Sequence, residues 1–428
     1  MSETATGEFF DQRVAGLYSA VIPVGFATAV TMWTAGYIAR LPFIEAPSSL
    51  LFFALIGILV LGGRIAASRH LDRIRAGVLC GFVAAILDLL VLGAFVVPDG
   101  EPLSSDLWLS LGGSFLFFVF ICIGLGVLGA MSRGPGTSTR QQGLELMSGT
   151  SFLATLVLVG IGGLVTSTNS GLAVPDWPDS FGQNMFLLPL SRMTGGIYYE
   201  HAHRLFGALV GLVTGALAIY LWRCAGRRHL TVLGFVAILL VIVQGIAGGV
   251  RVTELSLGLG VAHGVHGQMI LALLAVIVTL TASSWQREPK GAADPIDRWS
   301  SLILILLLLS QLVLGALSRH FSRDWLIFHI LVAFLILVLI VLIGVRGGLP
   351  AMLQTRSRIG ISLVIGASLQ IALGFAALAV TGAALQGALP SASSGVLETL
   401  VATSHQTVGA LMLSLAASLL CWTFRARG

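Results

Sequence analysis

Charge is what this chain has least of: 10% of its 428 residues are Asp, Glu, Lys or Arg, against about 25% in soluble domains. With 56% hydrophobic residues, it has too little polar surface to face water, and a soluble globule is excluded. Cysteine is also sparse. Cys80, Cys122 and Cys421 stand inside apolar runs and Cys224 at a helix end, so no pair has the spacing of a metal site or redox motif. All four read as packing residues, and no disulfide is expected. The net charge of +5 does not make a nucleic-acid surface, because the basic residues are scattered through short connections rather than gathered on one patch. The first 13 residues, with Glu3, Glu8, Asp11 and Arg13, lack the basic start and cleavage pattern of a signal peptide and the Arg-richness of a transit peptide. The first apolar run is therefore expected to remain as an anchor.

What is present is one apolar run after another. Each is roughly 20 residues, long enough to cross about 30 Å of hydrocarbon as a helix. They fall near 14–38, 49–69, 77–97, 107–131, 146–168, 201–222, 231–253, 260–283, 299–318, 325–346, 357–381 and 397–424. The expected fold is an all-α polytopic membrane protein of about 12 helices, with the lipid bilayer as its first partner. Basic residues cluster after alternate spans: Arg64, Arg69, Arg73 and Arg75; Arg133 and Arg140; Arg223, Arg227 and Arg228; Arg287, Lys290 and Arg298; Arg346, Arg356 and Arg358; Arg425 and Arg427. The even-numbered spans thus end in the cytoplasm, both termini are cytoplasmic, and the longer loops at 169–199 and 382–396 lie on the other side. Arg319 and Arg323 break the rule, which suits a functional role for them.

The polar stretch Ser132 to Gly143 interrupts helix and hydrophobicity together. It separates four N-terminal helices (1–131) from eight that follow, with 132–145 as a cytoplasmic linker. The eight carry a repeat. Odd-numbered spans end in Gly162-Gly163-Leu164-Val165-Thr166, Gln244-Gly245-Ile246-Ala247-Gly248-Gly249, Gln311-Leu312-Val313-Leu314-Gly315-Ala316 and Gln370-Ile371-Ala372-Leu373-Gly374. Small residues there allow close helix contact. After each pattern comes an outside loop and then a helix with a histidine: His203, His263, His329 and His405.

Four imidazoles near the outer start of four helices would hold two metal ions, line a proton path, or act as axial ligands for two hemes. A bare metal site would add carboxylates or thiolates. Only Glu200 is near, so heme fits better. His266 shares a helical face with His263, and His201 and His320 stand near helix ends; these read as partners of the ligands or of heme propionates, with an interfacial role equally open. Glu200 lies three residues before His203, which places a carboxylate on the same helical face as a candidate iron ligand. It reads as an acid or base, or as a negative charge that stabilises a cationic intermediate; its plain alternative is a helix-start carboxylate favoured by the macrodipole. Arg204 would pair with Glu200 or with a propionate. The loop Asn169-Ser170-Gly171-Leu172-Ala173-Val174-Pro175-Asp176-Trp177-Pro178 suits no regular element. It is either an interfacial Trp anchor or a lid over a cofactor pocket.

These residues resemble the heme A synthase family, from about Gly162 to the C-terminus. The likeness is carried by Gly163 to Leu172, by Pro175-Asp176-Trp177-Pro178, by Glu200-His201-Ala202-His203-Arg204-Leu205-Phe206-Gly207, by His263-Gly264 with Gln268, and by His329-Ile330 and His405 to Ala410. The resemblance implies two related four-helix halves, 146–283 and 299–428. The first would hold the substrate heme O through His203 and His263, and the second a resident heme b through His329 and His405. Iron would enter only as heme. Glu200 matches the family's active-site carboxylate, and Arg204, His201, His266, Arg319 and His320 would support the two sites. The implied reaction oxidises a ring methyl of heme O to a formyl group for cytochrome oxidase. A heme O synthase and an electron-transfer protein are the implied partners, homo-oligomers are compatible with it, and the implied location is a bacterial-type plasma membrane. Two departures stand out. Val174 and Ser180 occupy places where many bacterial members have cysteines, and residues 1–131 fall outside the resemblance and read as an accessory bundle. A bis-histidine cytochrome b that only carries electrons is the main alternative, although such carriers usually place hemes at different depths. A transporter would need broken helices near mid-membrane, and the sequence offers none.

Overall fold

The computed structural model describes residues 16–97, 105–288, 294–347, 354–385 and 391–425. The N-terminal Glu3, Glu8, Asp11 and Arg13, as well as Lys290, Arg427 and part of the 382–396 loop, lie outside the described residues. Among those described, 12 helices are long and apolar enough to cross a membrane, and the protein is a multi-pass membrane protein. They are α1 (Leu17–Ala39), α2 (Ser48–Ala67), α3 (Arg73–Val96), α4 (Ser105–Met131), α5 (Arg140–Ser167), α6 (Gly195–Cys224), α7 (Arg228–Thr253), α8 (Leu257–Thr281), α9 (Pro295–His320), α10 (Trp325–Gly347), α11 (Gln354–Leu385) and α12 (Ser391–Thr423).

Most ends fall within a few residues of the apolar runs, but α5, α6 and α12 start earlier than hydropathy implies. At α5 the cause is a reciprocal cap. The Thr139 amide donates to Gln142 Oε1 at 3.0 Å and the Gln142 amide donates to Thr139 Oγ1 at 3.2 Å, so two otherwise unpaired N–H groups are satisfied. Residues 140–145, expected in the linker, are therefore helical. Between α5 and α6 the chain makes two 3-10 turns, Met185–Leu187 and Leu190–Arg192. An isolated antiparallel bridge joins Ser180 and Gln183.

The chain forms two compact units, Met1–Ala154 with Pro178–Phe235, and Thr155–Trp177 with Val236–Gly428. In the first, α2, α3 and α4 meet through glycine. A Cβ at Gly63 or Gly77 would run into the Gly126 backbone, one at Gly81 into Cys122, and one at Gly129 into Val60. Removing side chains from these seams lets the helix backbones approach, which is how helices associate where lipid removes the hydrophobic drive. The outward faces carry large apolar groups such as Phe52, Phe117 and Phe120, as a lipid-facing surface requires. In the second unit α8 to α12 share a core of Leu304, Leu308, Ile336, Ile340, Leu363, Met412 and Leu413. All four cysteines are free thiols, Cys80 and Cys122 buried, Cys224 and Cys421 half-buried.

Candidate heme-binding and catalytic residues

In the first unit the candidate chemistry is on α6. Its helical turn of about 100° per residue puts Glu200, His203, Arg204 and Gly207 on one side and Tyr198, Ala202 and Phe206 on the other. The second side packs on α1. Tyr198 Oη donates to the Tyr37 carbonyl at 2.7 Å, the Tyr37 and Tyr198 rings stack with centroids 5.4 Å apart, and Trp33 meets Phe206 edge-on at 5.4 Å. On the first side Arg204 Nη2 lies 3.0 Å from Glu200 Oε1, with side chains 9% and 5% exposed. Arg204 Nη1 also donates to the Asp179 carbonyl at 3.1 Å. Arg204 is thus committed to Glu200 and to the loop. His201 is fully buried, with Nδ1 3.2 Å from Ser180 Oγ, so it anchors the loop before α6. His203 is half-buried one turn from Glu200.

In the second unit the other three histidines meet the preceding helix in a recurring way. Gln244 Nε2 donates to the His263 carbonyl at 2.9 Å, and its Oε1 accepts from His266 Nδ1 at 2.7 Å. Gln311 Nε2 donates to the His329 carbonyl at 2.9 Å, and His329 Nδ1 donates to the Gln311 carbonyl at 3.1 Å. Gln370 Nε2 lies 3.4 Å from His405 Nε2. The imidazoles of His329 and His405 face each other, centroids 6.2 Å apart and planes at 60°.

Further residues gather at the ends of α7 and α9. Arg319 Nη2 donates to the Thr166 carbonyl at 3.0 Å, and Arg251 is close enough to act electrostatically on both His263 and His320. The loop lies on the end of α7. A Cβ at Gly249 would strike the Trp177 indole, and one at Gly171 the Arg251 guanidinium. Asn169 takes a left-handed turn, φ 54°, to begin this path. Val174 is fully buried as a packing residue, and Ser180 is buried against His201.

The residues at His329 and His405 fit a bis-imidazole heme. A metal–imidazole bond is about 2 Å, so two rings on one ion stand roughly 6 Å apart, close to the separation found. His329 donates from Nδ1, which leaves Nε2 as the lone-pair nitrogen that binds iron. Among the described residues no group of three or more His, Cys, Asp or Glu converges. A pair of imidazoles needs a macrocycle to complete an iron site, and porphyrin supplies four nitrogens.

Comparison with known proteins bears on the same residues. Residues 145–323 match the family model COX15-CtaA, described as cytochrome oxidase assembly protein. The heme A synthase of Lysinibacillus sphaericus is 30% identical over 173 residues, 39% of this chain and 54% of that protein. The heme A synthases of Alkalihalophilus pseudofirmus (30% over 149 residues, 34% of this chain and 48% of theirs) and Geobacillus kaustophilus (31% over 140 residues, 32% and 42%) are similar as well. Residues 145–323 are thus similar to the heme A synthase family.

The chain spans about half the length of the curated relatives it matches. The family match includes Glu200, His201, His203, Arg204, His263, His266, Arg319 and His320, and it ends before His329 and His405. For those two the support is their facing geometry. Sequence reading took the glutamines of the repeat as part of a packing pattern and passed over Arg251, Trp33 and Tyr37. The signal for the glutamines was present, since Gln-x-x-x-Gly recurs three times.

Proposed function

We propose that this protein oxidises the ring methyl of heme O to the formyl group of heme A, within cytochrome oxidase assembly. The observation that carries the reading is the buried Glu200–Arg204 pair one turn from His203, inside the region that matches the family. His203 and His263 would bind heme O as substrate, and His329 and His405 a resident heme b. Heme iron supplies the redox chemistry that no side chain here has. The chain's own groups bind, orient and place charge. Glu200, held by Arg204 in a site with little water, presents a carboxylate that can take a proton or stabilise positive charge at the edge of the macrocycle. Arg319, His320 and His266, with Arg251 beside them, offer donors to propionates or to the ligands. Oxidation would pass through an alcohol and a hydrated aldehyde, each step taking its oxygen from water and releasing two electrons and two protons, and the hydrate would lose water to leave the formyl group. A heme O synthase would supply substrate and an electron-transfer protein would accept electrons, at a bacterial-type plasma membrane with both termini cytoplasmic. Self-association fits the same reading.

The facing His329 and His405 would equally serve an electron-carrying cytochrome b, the second reading. The test is mass analysis of hemes extracted from cells making heme O, with and without this protein. The expected result is the alcohol or formyl product only when it is present. Bound heme b without oxidised product, in the presence of a working redox partner, would leave the carrier as the better account.

A further inference from the structure

We propose that Gln244, Gln311 and Gln370 are positioning residues that set the histidine-bearing helices, and with them the imidazoles of His263, His329 and His405, one clamp in each of three helix pairs. The proposal rests on the reading of these histidines as heme ligands. Gln311 shows the clamp closed. Its amide donates to the His329 carbonyl at 2.9 Å while the His329 ring donates from Nδ1 to the Gln311 carbonyl at 3.1 Å. The first bond, from the side chain, fixes the backbone of α10 against α9, and the second, to the main-chain carbonyl of residue 311, fixes ring orientation and tautomer with the Nε2 lone pair presented. Gln244 makes the same amide bond to the His263 carbonyl at 2.9 Å, and its oxygen is engaged by His266 at 2.7 Å. The Gln370 amide stands 3.4 Å from His405 Nε2, so binding iron at that nitrogen requires it to turn away, toward the position its two counterparts already hold.

The space around each clamp is shaped on both helices. One turn beyond each glutamine stands a glycine against the histidine ring: a Cβ at Gly248, Gly315 or Gly374 would come within 2.7, 3.0 or 3.3 Å of Cε1 of His263, His329 or His405. One turn beyond the histidines stand Gly267, Ala333 and Gly409. A Cβ at Gly267 or Gly409 would lie 3.0 or 3.3 Å from the glutamine amide nitrogen. The arrangement recurs three times while the flanking residues change, as a shared task demands and general apolar packing does not.

The test uses the purified full-length protein loaded with heme, read by the ferric low-spin electron paramagnetic resonance signal and by the rate of heme loss to an apo-globin acceptor. Gln311→Leu keeps the main-chain carbonyl that meets the ring but removes the amide bond to the His329 carbonyl. It is expected to broaden the low-spin signal and to speed loss of one heme roughly 10-fold, the lower end of the cost of removing a partner behind a ligand. Gly315→Ala, which keeps the glutamine and crowds the ring, is expected to shift the same signal, and it carries the test if Gln311→Leu does not fold. Ser310→Ala, on an exposed residue beside the clamp, leaves both readouts at wild-type values. Unchanged signals and loss rates in Gln311→Leu and Gly315→Ala would overturn the clamp while leaving the heme reading intact. A wild-type protein that binds no heme would overturn the ligand reading itself.

Discussion

Glu200 and Arg204 are almost fully enclosed, with side chains 5% and 9% exposed. Taking each charge out of water costs several kcal/mol, which the contact at 3.0 Å only partly returns. Apolar residues would pack there at no such cost, so in our reading the pair serves chemistry. Substituting either partner alone has two consequences that must be separated. Glu200→Ala takes the carboxylate from Arg204, which keeps its bond to the Asp179 carbonyl, and should lower stability by about 3–5 kcal/mol. Glu200→Gln keeps the shape and an oxygen acceptor but removes the charge. Both variants are expected to keep heme, and Glu200→Gln to lower product formation about 100- to 10,000-fold, the range for loss of a positioned acid or base. Heme content by absorbance and product by mass analysis check this; undiminished product would make the carboxylate structural.

At the scale of helices, α1 braces the back of α6. Trp33 and Tyr37, one turn apart, meet Phe206 and Tyr198, and the Tyr198 hydroxyl ties to the Tyr37 carbonyl. This gives the N-terminal helices a role in our reading: they hold the helix that carries Glu200 and His203. Trp33→Ala, at a residue 6% exposed, should cost roughly 3 kcal/mol of stability, seen as a lower melting temperature in detergent. It should reduce product while leaving the low-spin signal of the His329 and His405 heme unchanged; loss of that signal instead would mean general unfolding. None of this brace was legible in the sequence, because an aromatic inside an apolar run does not say which helix it will meet. The spans were legible, since each is a long apolar run and hydropathy reads those directly. The start of α5 was not, because its first turn is polar and is held by the Thr139–Gln142 cap, which a hydropathy window does not see. The histidines stood out as intramembrane ionisable groups, whereas Gln311 and Gln244 looked like small-residue packing until their amides were seen on the histidine backbone.

For the whole molecule, the distribution of arginine sets an orientation that α5 makes testable. The helix has 28 residues, about 42 Å at 1.5 Å per residue, and hydrocarbon is about 30 Å thick, so its two ends emerge on opposite sides. Arg133 and Arg140 sit at one end, while the loop with Asp176, Trp177 and Asp179 follows the other. In our reading the positive-inside rule puts the arginine end of α5 in the cytoplasm. Candidate oxidation chemistry at the start of α6 then lies toward the outer face. Gln183 and Arg133 are both exposed, so Gln183→Cys and Arg133→Cys report on the two sides. In intact cells a membrane-impermeant thiol reagent is expected to label Gln183→Cys and to miss Arg133→Cys until the membrane is opened. The native thiols, two buried and two half-buried, set the background in the unsubstituted protein. The reverse labelling would invert the whole topology and move Glu200 to the cytoplasmic side, where a different electron partner would have to meet it.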